Sequence, residues 1–149
     1  EMVNASKVVK AIHETVKPYM EANETSTSKG RVVIATVSGD LHDIGKNIVK
    51  AMLEVNGFEV KDLGVDVATQ TIVSGARDFN ADVIALSALM LPSLPFCEDV
   101  IEFVEQDKNS KVIVGGGPVS KEWAEEAGAD GYGDNAIDAV ALVIKLVSA

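Results

Sequence analysis

The sequence predicts a doubly wound α/β domain, and three observations carry the prediction. Short, nearly continuous apolar runs at residues 31–38, 82–87 and 111–114 have the pattern of strands buried on both faces of a parallel sheet. The segments that follow them place apolar residues at helical spacing. The 149 residues have room for five such strand–helix units and little more. Five consecutive units give a parallel sheet with helices on both faces, connected right-handedly. The expected strand order is 2-1-3-4-5, the flavodoxin-like (Rossmann-like) arrangement.

The elements follow in order. Residues 4–21 read as an amphipathic helix, with Val8, Ile12, Val16 and Met20 at four-residue spacing. A lone helix of this length is marginal in water, so its stripe needs a partner; Pro18 kinks or shortens its last turn. Residues 21–30 are polar, small and Gly-terminated, a linker composition. The expected division is therefore 1–29, helix plus linker, and 30–149, the α/β domain. Because the chain starts at Glu1 rather than Met, it reads as a possible fragment.

The first strand is expected at 31–38, followed by a helix marked by Ile44, Ile48, Met52 and Val55 and stopped by Gly57. Strand two spans 58–63, the second helix 69–80 and strand three 82–87. The helix after the Pro92–Pro95 segment should turn Val100, Phe103 and Val104 inward. Strand four, 111–114, runs into Gly115–Gly117. A helix at 120–127, a short strand at 130–132 and a last helix at 135–147 with an Ala/Val/Leu face complete the chain.

Net charge is −10, from 23 acidic against 13 basic residues, with a pI near 4.5. That argues against a nucleic-acid binder, which shows a basic face, and against docking on an anionic membrane. The single cysteine, Cys97, excludes an internal disulfide, and two histidines are too few for an all-protein zinc site. No apolar run approaches the roughly 20 residues of a membrane span, and no signal-peptide pattern opens the chain. The expectation is a soluble, cytoplasmic protein. Cys97 and Trp123 read as packing residues and His13 as a surface residue.

In sheets of this order ligands sit outside the carboxyl ends of the strands, where the winding reverses between strands one and three. The unusual chemistry falls there. After strand one come Gly39, Asp40, His42 and Gly45. A histidine two residues after a carboxylate lies on the same side of an extended loop. The Asp can accept one ring N–H and leave the other nitrogen as a metal ligand. Gly45, at the mouth of the next helix, admits a bulky ligand. After strand three come Ser87, Leu89, Leu91 and Ser93. After strand four, Gly115, Gly116 and Gly117 remove three successive side chains, where one Gly would suffice for a turn. Each loop alone has a plainer reading: a surface histidine, a Ser93 helix cap, a tight turn.

Together the three loops resemble the cobalamin-binding domain of corrinoid methyl-transfer proteins, whose signature is Asp-x-His-x-x-Gly, then Ser-x-Leu, then Gly-Gly. Here these are Asp40, His42 and Gly45; Ser87 and Leu89; Gly115 and Gly116. The resemblance covers about residues 31–149. It implies a cobalamin (corrinoid) cofactor, with His42 replacing the benzimidazole as lower ligand of cobalt. Asp40 would hold His42, and Ser93 would extend the pair into a proton relay. Ser87 would meet the displaced base in a slot lined by Leu89, with Gly45, Gly115 and Gly116 making room for the nucleotide tail. Asp43, Ile44 and Gly117 belong to the same expected binding set. The segment from Asp130 through Tyr132 and Gly133, with Asp134 beside it, would close the far end. Many relatives carry threonine where this chain has Leu91, which implies a more apolar slot.

The run Asp43-Ile44-Gly45-Lys46-Asn47 is similar to methyltransferase corrinoid proteins rather than carbon-skeleton mutases. The helix at 4–21 resembles the last helix of the helical cap those proteins carry, and the rest of that cap is absent here. The implied function is a methyl carrier cycling between Co(I) and methyl-Co(III). Its implied partners are a substrate-specific methyltransferase, a methyl-acceptor methyltransferase serving tetrahydrofolate or a thiol, and a reductive activase. The alternatives are a cobalamin-binding sensor module and the cobalamin subunit of a radical mutase. A receiver domain would need Asp where Ser87 stands. A flavodoxin would need a Ser/Thr-rich phosphate loop and flavin-stacking aromatics.

Overall fold

In the computed structural model residues 28–107 and 109–148 are described; the expected helix at 4–21, His13 and most of the expected linker lie outside them. Five strands, β1 (Arg31–Thr36), β2 (Glu59–Asp62), β3 (Val83–Ser87), β4 (Lys111–Gly115) and β5 (Gly131–Gly133), form one parallel sheet in the order β2-β1-β3-β4-β5. Between and after them come α1 (Ile44–Val55), α2 (Thr69–Phe79), a single 3-10 turn (Leu91–Ser93) leading into α3 (Leu94–Asp107), α4 (Lys121–Ala127) and α5 (Ala136–Ser148).

The apolar runs read as strands because both sheet faces are covered. On one face Val33, Ala35, Ile84, Leu86, Val112 and Val114 pack with buried residues of α2, α3 and α4. On the other, Val32, Ile34, Val83, Ala85 and Ile113 pack with Leu53 of α1 and Ala139, Val140 and Val143 of α5. The alternation along each strand thus sends successive side chains into two separate cores.

Boundaries move by a residue or two, for local reasons. β1 stops at Thr36, and Val37 makes only an isolated bridge to Val67. Asn80 ends α2 in the left-handed conformation rather than continuing it. Ser120 caps α4, its hydroxyl accepting the Trp123 N–H at 3.0 Å.

One inward residue is corrected. Phe103 is 48% exposed, while α3 buries Leu94, Cys97, Val100, Ile101 and Val104. The buried stripe runs through the 97–101–104 positions, and Phe103 falls off its edge. In α1 the marker residues Ile44, Ile48, Met52 and Val55 do form a helix, but its fully buried positions are Lys46, Ala51 and Leu53.

Candidate functional site

The loop between β1 and α1 is organised by a buried carboxylate. Asp40 has no exposed side-chain surface. Its Oδ1 accepts the His42 N–H at 3.1 Å and faces the His42 Nδ1 at 2.7 Å. Its Oδ2 accepts the Leu89 N–H, from the loop after β3, at 2.6 Å. Burial pushes the Asp40 carboxyl up, but the hydrogen bonds from the Leu89 N–H and the His42 ring outweigh it and hold the group below its ordinary value. Asp40 is therefore ionised at neutral pH, and the short contact makes Nδ1 the donor. The His42 ring is 53% exposed, and its Nε2 has no partner among the described residues. The backbone below the ring is held as well, because buried Thr36 donates its hydroxyl to the His42 carbonyl at 2.7 Å.

Exposed apolar residues stand at the same edge. Leu41, Leu89, Met90, Leu91 and Phe96 all present surface to solvent in the loops after β1 and β3 and the start of α3. Ser93 is buried in the 3-10 turn, its N–H donating to the Met90 carbonyl at 2.9 Å. Among the described residues its hydroxyl makes no hydrogen bond to Asp40. The Cys97 thiol is buried, and burial, with Asp40 and Glu98 nearby, pushes its pKa up to about 12.

Beside this loop, between α1, α5 and the carboxyl ends of β1, β3 and β4, lies a cavity of about 330 Å³. Its floor is apolar, made by Ile34, Ala85, Ile113, Val49 and Ala139. Gly45, Gly115, Gly116, Gly117 and Gly133 line its walls. These glycines are not equivalent. A Cβ on Gly116, at φ +129, would stand 1.8 Å from the Ala88 carbonyl oxygen, so the fold itself requires glycine there. On Gly115 it would come within 3.1 Å of the Gly133 carbonyl oxygen. On Gly45 it would meet nothing within 4 Å, and on Gly117 only Leu89 at 3.9 Å. Those two leave space that the chain does not use.

Of the polar wall residues, Lys46 binds Asp62 at 2.6 and 2.7 Å, Tyr132 donates to Asp134 at 3.0 Å, and Asn135 accepts the Asp138 N–H at 2.9 Å. The Ser87 hydroxyl has no hydrogen bond among the described residues. The lining suits a largely apolar group, with Ser87 to meet a heteroatom. No group of three His, Cys, Asp or Glu among the described residues is placed to hold a metal ion. A metal at His42 must therefore bring most of its own ligands, as a macrocycle does.

The structure thus brings Ser87, Leu89, Gly45, Gly115, Gly116, Gly117, Tyr132, Gly133 and Asp134 onto one cavity. Asp40 and His42 do not line it; they form a pair tied to it through Leu89, whose N–H donates to Asp40, with Asp43 and Ile44 leading into α1. Leu91, expected to make the slot more apolar, is 69% exposed and does not line the cavity. The 3-10 turn carries it outward. Lys46, Ile48, Val49 and Ala136 line the cavity but were not among the expected site residues. For Lys46 a signal existed: it lies three and seven residues before Val49 and Leu53, on the face that packs on the sheet.

Among known families, the B12 binding domain matches residues 30–141. Dimethylamine corrinoid protein 1 of Methanosarcina acetivorans is 45% identical over 138 residues, 91% of this chain and 65% of that protein. A cobalamin-binding protein from Desulfitobacterium hafniense superposes with a TM-score of 0.81 at 34% identity, covering 90% of this chain and 67% of that one. The methanol:cobalamin methyltransferase complex of Methanosarcina barkeri gives 0.77 at 30% identity, covering 86% of this chain and 51% of that one. The chain therefore spans about two thirds of the length of such relatives, or less. No described helix is long and apolar enough to cross a membrane.

Proposed function

The chain belongs to the B12 binding domain family and its cofactor is a corrinoid, and from that premise we propose that it is the methyl-carrying part of a methylamine-type methyltransferase system. The observation that carries the reading is one juxtaposition: a carboxylate-held imidazole with its Nε2 turned outward, beside an apolar cavity walled by glycine. When bound, the corrinoid supplies a cobalt that takes up a methyl group and releases it.

The chain's own residues hold and tune that group. His42 would hold the corrinoid's cobalt through Nε2, the ring nitrogen left free by the Nδ1 contact. Ionised Asp40 accepts the Nδ1–H at 2.7 Å, fixes the tautomer and makes Nε2 a better donor. A proton reaching Nε2 would be balanced by the buried carboxylate of Asp40, which already faces Nδ1. Ser93, buried on the following turn without a hydrogen bond to Asp40, would join this pair as a proposed third member only by turning its hydroxyl toward that carboxylate. The cavity would hold the cofactor's base and nucleotide tail, with Gly45 and Gly117 yielding space and Ser87 offering its hydroxyl. The exposed leucines of the same loops, Leu41, Leu89 and Leu91, would offer apolar surface to the macrocycle.

Similarity to the dimethylamine corrinoid protein of Methanosarcina acetivorans supports a methylamine donor. Similarity to a chain of the methanol:cobalamin methyltransferase complex supports docking to a separate methyltransferase. The partners we propose are a donor-side methyltransferase, an acceptor-side methyltransferase using tetrahydrofolate or a thiol, and a reductive activase. The test mixes the reduced, cobalamin-loaded chain with a dimethylamine methyltransferase and dimethylamine. The visible spectrum should pass to that of the methylated corrinoid only when all three are present. A spectrum indifferent to the amine but responsive to methanol and its methyltransferase would overturn the donor assignment. Indifference to both would overturn the carrier role.

A further inference from the structure

We infer that Asp66, in the loop between β2 and α2, is a positioning residue that aims the His42 ring by fixing the backbone that carries Asp40. Among the described residues Asp66 makes no hydrogen bond to His42, and it does not line the cavity. It grips the preceding loop twice: its Oδ1 accepts the Gly39 N–H at 2.7 Å, and its own N–H donates to the Asp40 carbonyl at 2.9 Å. The two hydrogen bonds close a ring across the two loops, next to the Val37–Val67 bridge.

The need for such a grip follows from what Asp40 does. Its two carboxylate oxygens serve different partners, Leu89 N–H at 2.6 Å on one side and the His42 ring at 2.7 Å on the other. Both contacts hold together only if the Asp40 Cα stays where it is. Leu89 ties the carboxylate to the β3 side, and the Asp40 N–H reaches back to the Val37 carbonyl at 3.2 Å. From the β2 side, Asp66 supplies the restraint on Gly39 and on the Asp40 carbonyl. Gly39 itself sits at φ +82 and offers no stiffness of its own.

Asp66 has φ +50, a left-handed backbone that glycine adopts most easily. Glycine there would give the turn but no acceptor for the Gly39 N–H. The side chain at this strained position is thus spent on the neighbouring loop, where its effect reaches the imidazole through one residue.

The positioning role stands on the hydrogen bonds; its consequence for cobalt rests on the reading of His42 as the metal's ligand. The experiment separates them, using Asp66→Gly, which keeps the backbone conformation and drops the acceptor, and Asp66→Asn, which keeps an acceptor oxygen and tolerates the left-handed region. In the cofactor-free protein, proton–nitrogen correlation spectra of the His42 ring should show one Nδ1–H tautomer for the parent and Asp66→Asn. Asp66→Gly should show an averaged ring. In the protein loaded with cobalt(II) cobalamin, the ratio of histidine-ligated to unligated cobalt by EPR should fall by up to about tenfold in Asp66→Gly, the size expected for losing one hydrogen bond. Asp66→Asn should restore it. A ring signal unchanged in Asp66→Gly, even with a lowered melting temperature, would overturn the positioning role. A ring that responds, in a protein whose cobalt never shows histidine nitrogen, would leave the positioning role standing and overturn the ligand reading instead.

Discussion

Gly45 offers the cleanest separation of folding from ligand binding. It is the second residue of α1 and lines the cavity, and a Cβ added there meets nothing within 4 Å. Gly115 cannot serve, because its Cβ would come within 3.1 Å of the Gly133 carbonyl oxygen and disturb the β4–β5 pairing. In a helix, glycine costs about 0.5–1 kcal/mol relative to alanine. Gly45→Ala should therefore raise the melting temperature of the cofactor-free protein by about 1–4 °C for a chain of this size. Gly45→Leu should also fold, since its side chain extends into empty space. A ligand using that space must then overpack, at about 1–3 kcal/mol, so cobalamin affinity should fall about 10- to 100-fold. The assay is a thermal melt of each cofactor-free variant beside a titration with hydroxocobalamin followed by visible absorbance. Parental affinity in Gly45→Leu would show that the ligand does not use this cavity. A lower melting temperature would show that the space at Gly45 is not open.

Three further outcomes follow from the packing. Lys46→Ala leaves Asp62, whose side chain is 19% exposed, without its short ion-pair partner; a loss of about 2–3 kcal/mol is expected, read as a lower urea midpoint at unchanged slope. Gly116→Ala should not yield a folded protein, since its Cβ would stand 1.8 Å from the Ala88 carbonyl oxygen; a native circular dichroism spectrum would contradict this. The Cys97 thiol, raised to about 12 from an ordinary 9.0, binds its proton more tightly folded than unfolded. Its contribution to stability is complete below pH 9 and lost as pH climbs toward 12. Cys97→Ala should flatten that alkaline loss, and alkylation of the parent at pH 8 should be slow; fast labelling would refute the burial.

The sheet was legible because strands covered on both faces leave an unmistakable trace: 31–36, 83–87 and 111–114 are apolar almost throughout, and their order follows from consecutive right-handed crossovers. The position of the chemistry was legible for a related reason, since a doubly wound sheet exposes its loops at one edge. Helix phase was harder. Phe103 is as apolar as Val104 and adjacent to it, so composition could not say which of the two faces the sheet. Lys46 is buried although charged because it pairs with Asp62 at the end of β2, which no local pattern connects to it. Leu91 was placed in the slot by the resemblance, standing where many relatives carry threonine, but a 3-10 turn carries it outward. Asp66 was missed because its significance lies in two hydrogen bonds to a loop 26 residues earlier, Gly39 being 27 positions away.

The central claim is that His42, held by Asp40, lies beneath the metal in place of the cofactor's own base. The chain has two histidines, His13 and His42, and the cofactor's benzimidazole is supplied unlabelled. The protein is therefore grown on nitrogen-15 histidine, loaded with cobalt(II) cobalamin and measured by EPR beside His42→Ala. A doublet splitting from one nitrogen-15 nucleus, lost in His42→Ala, is the predicted result. A triplet from ordinary nitrogen, the same in both proteins, would mean that the cofactor keeps its own base and that His42 is not the ligand.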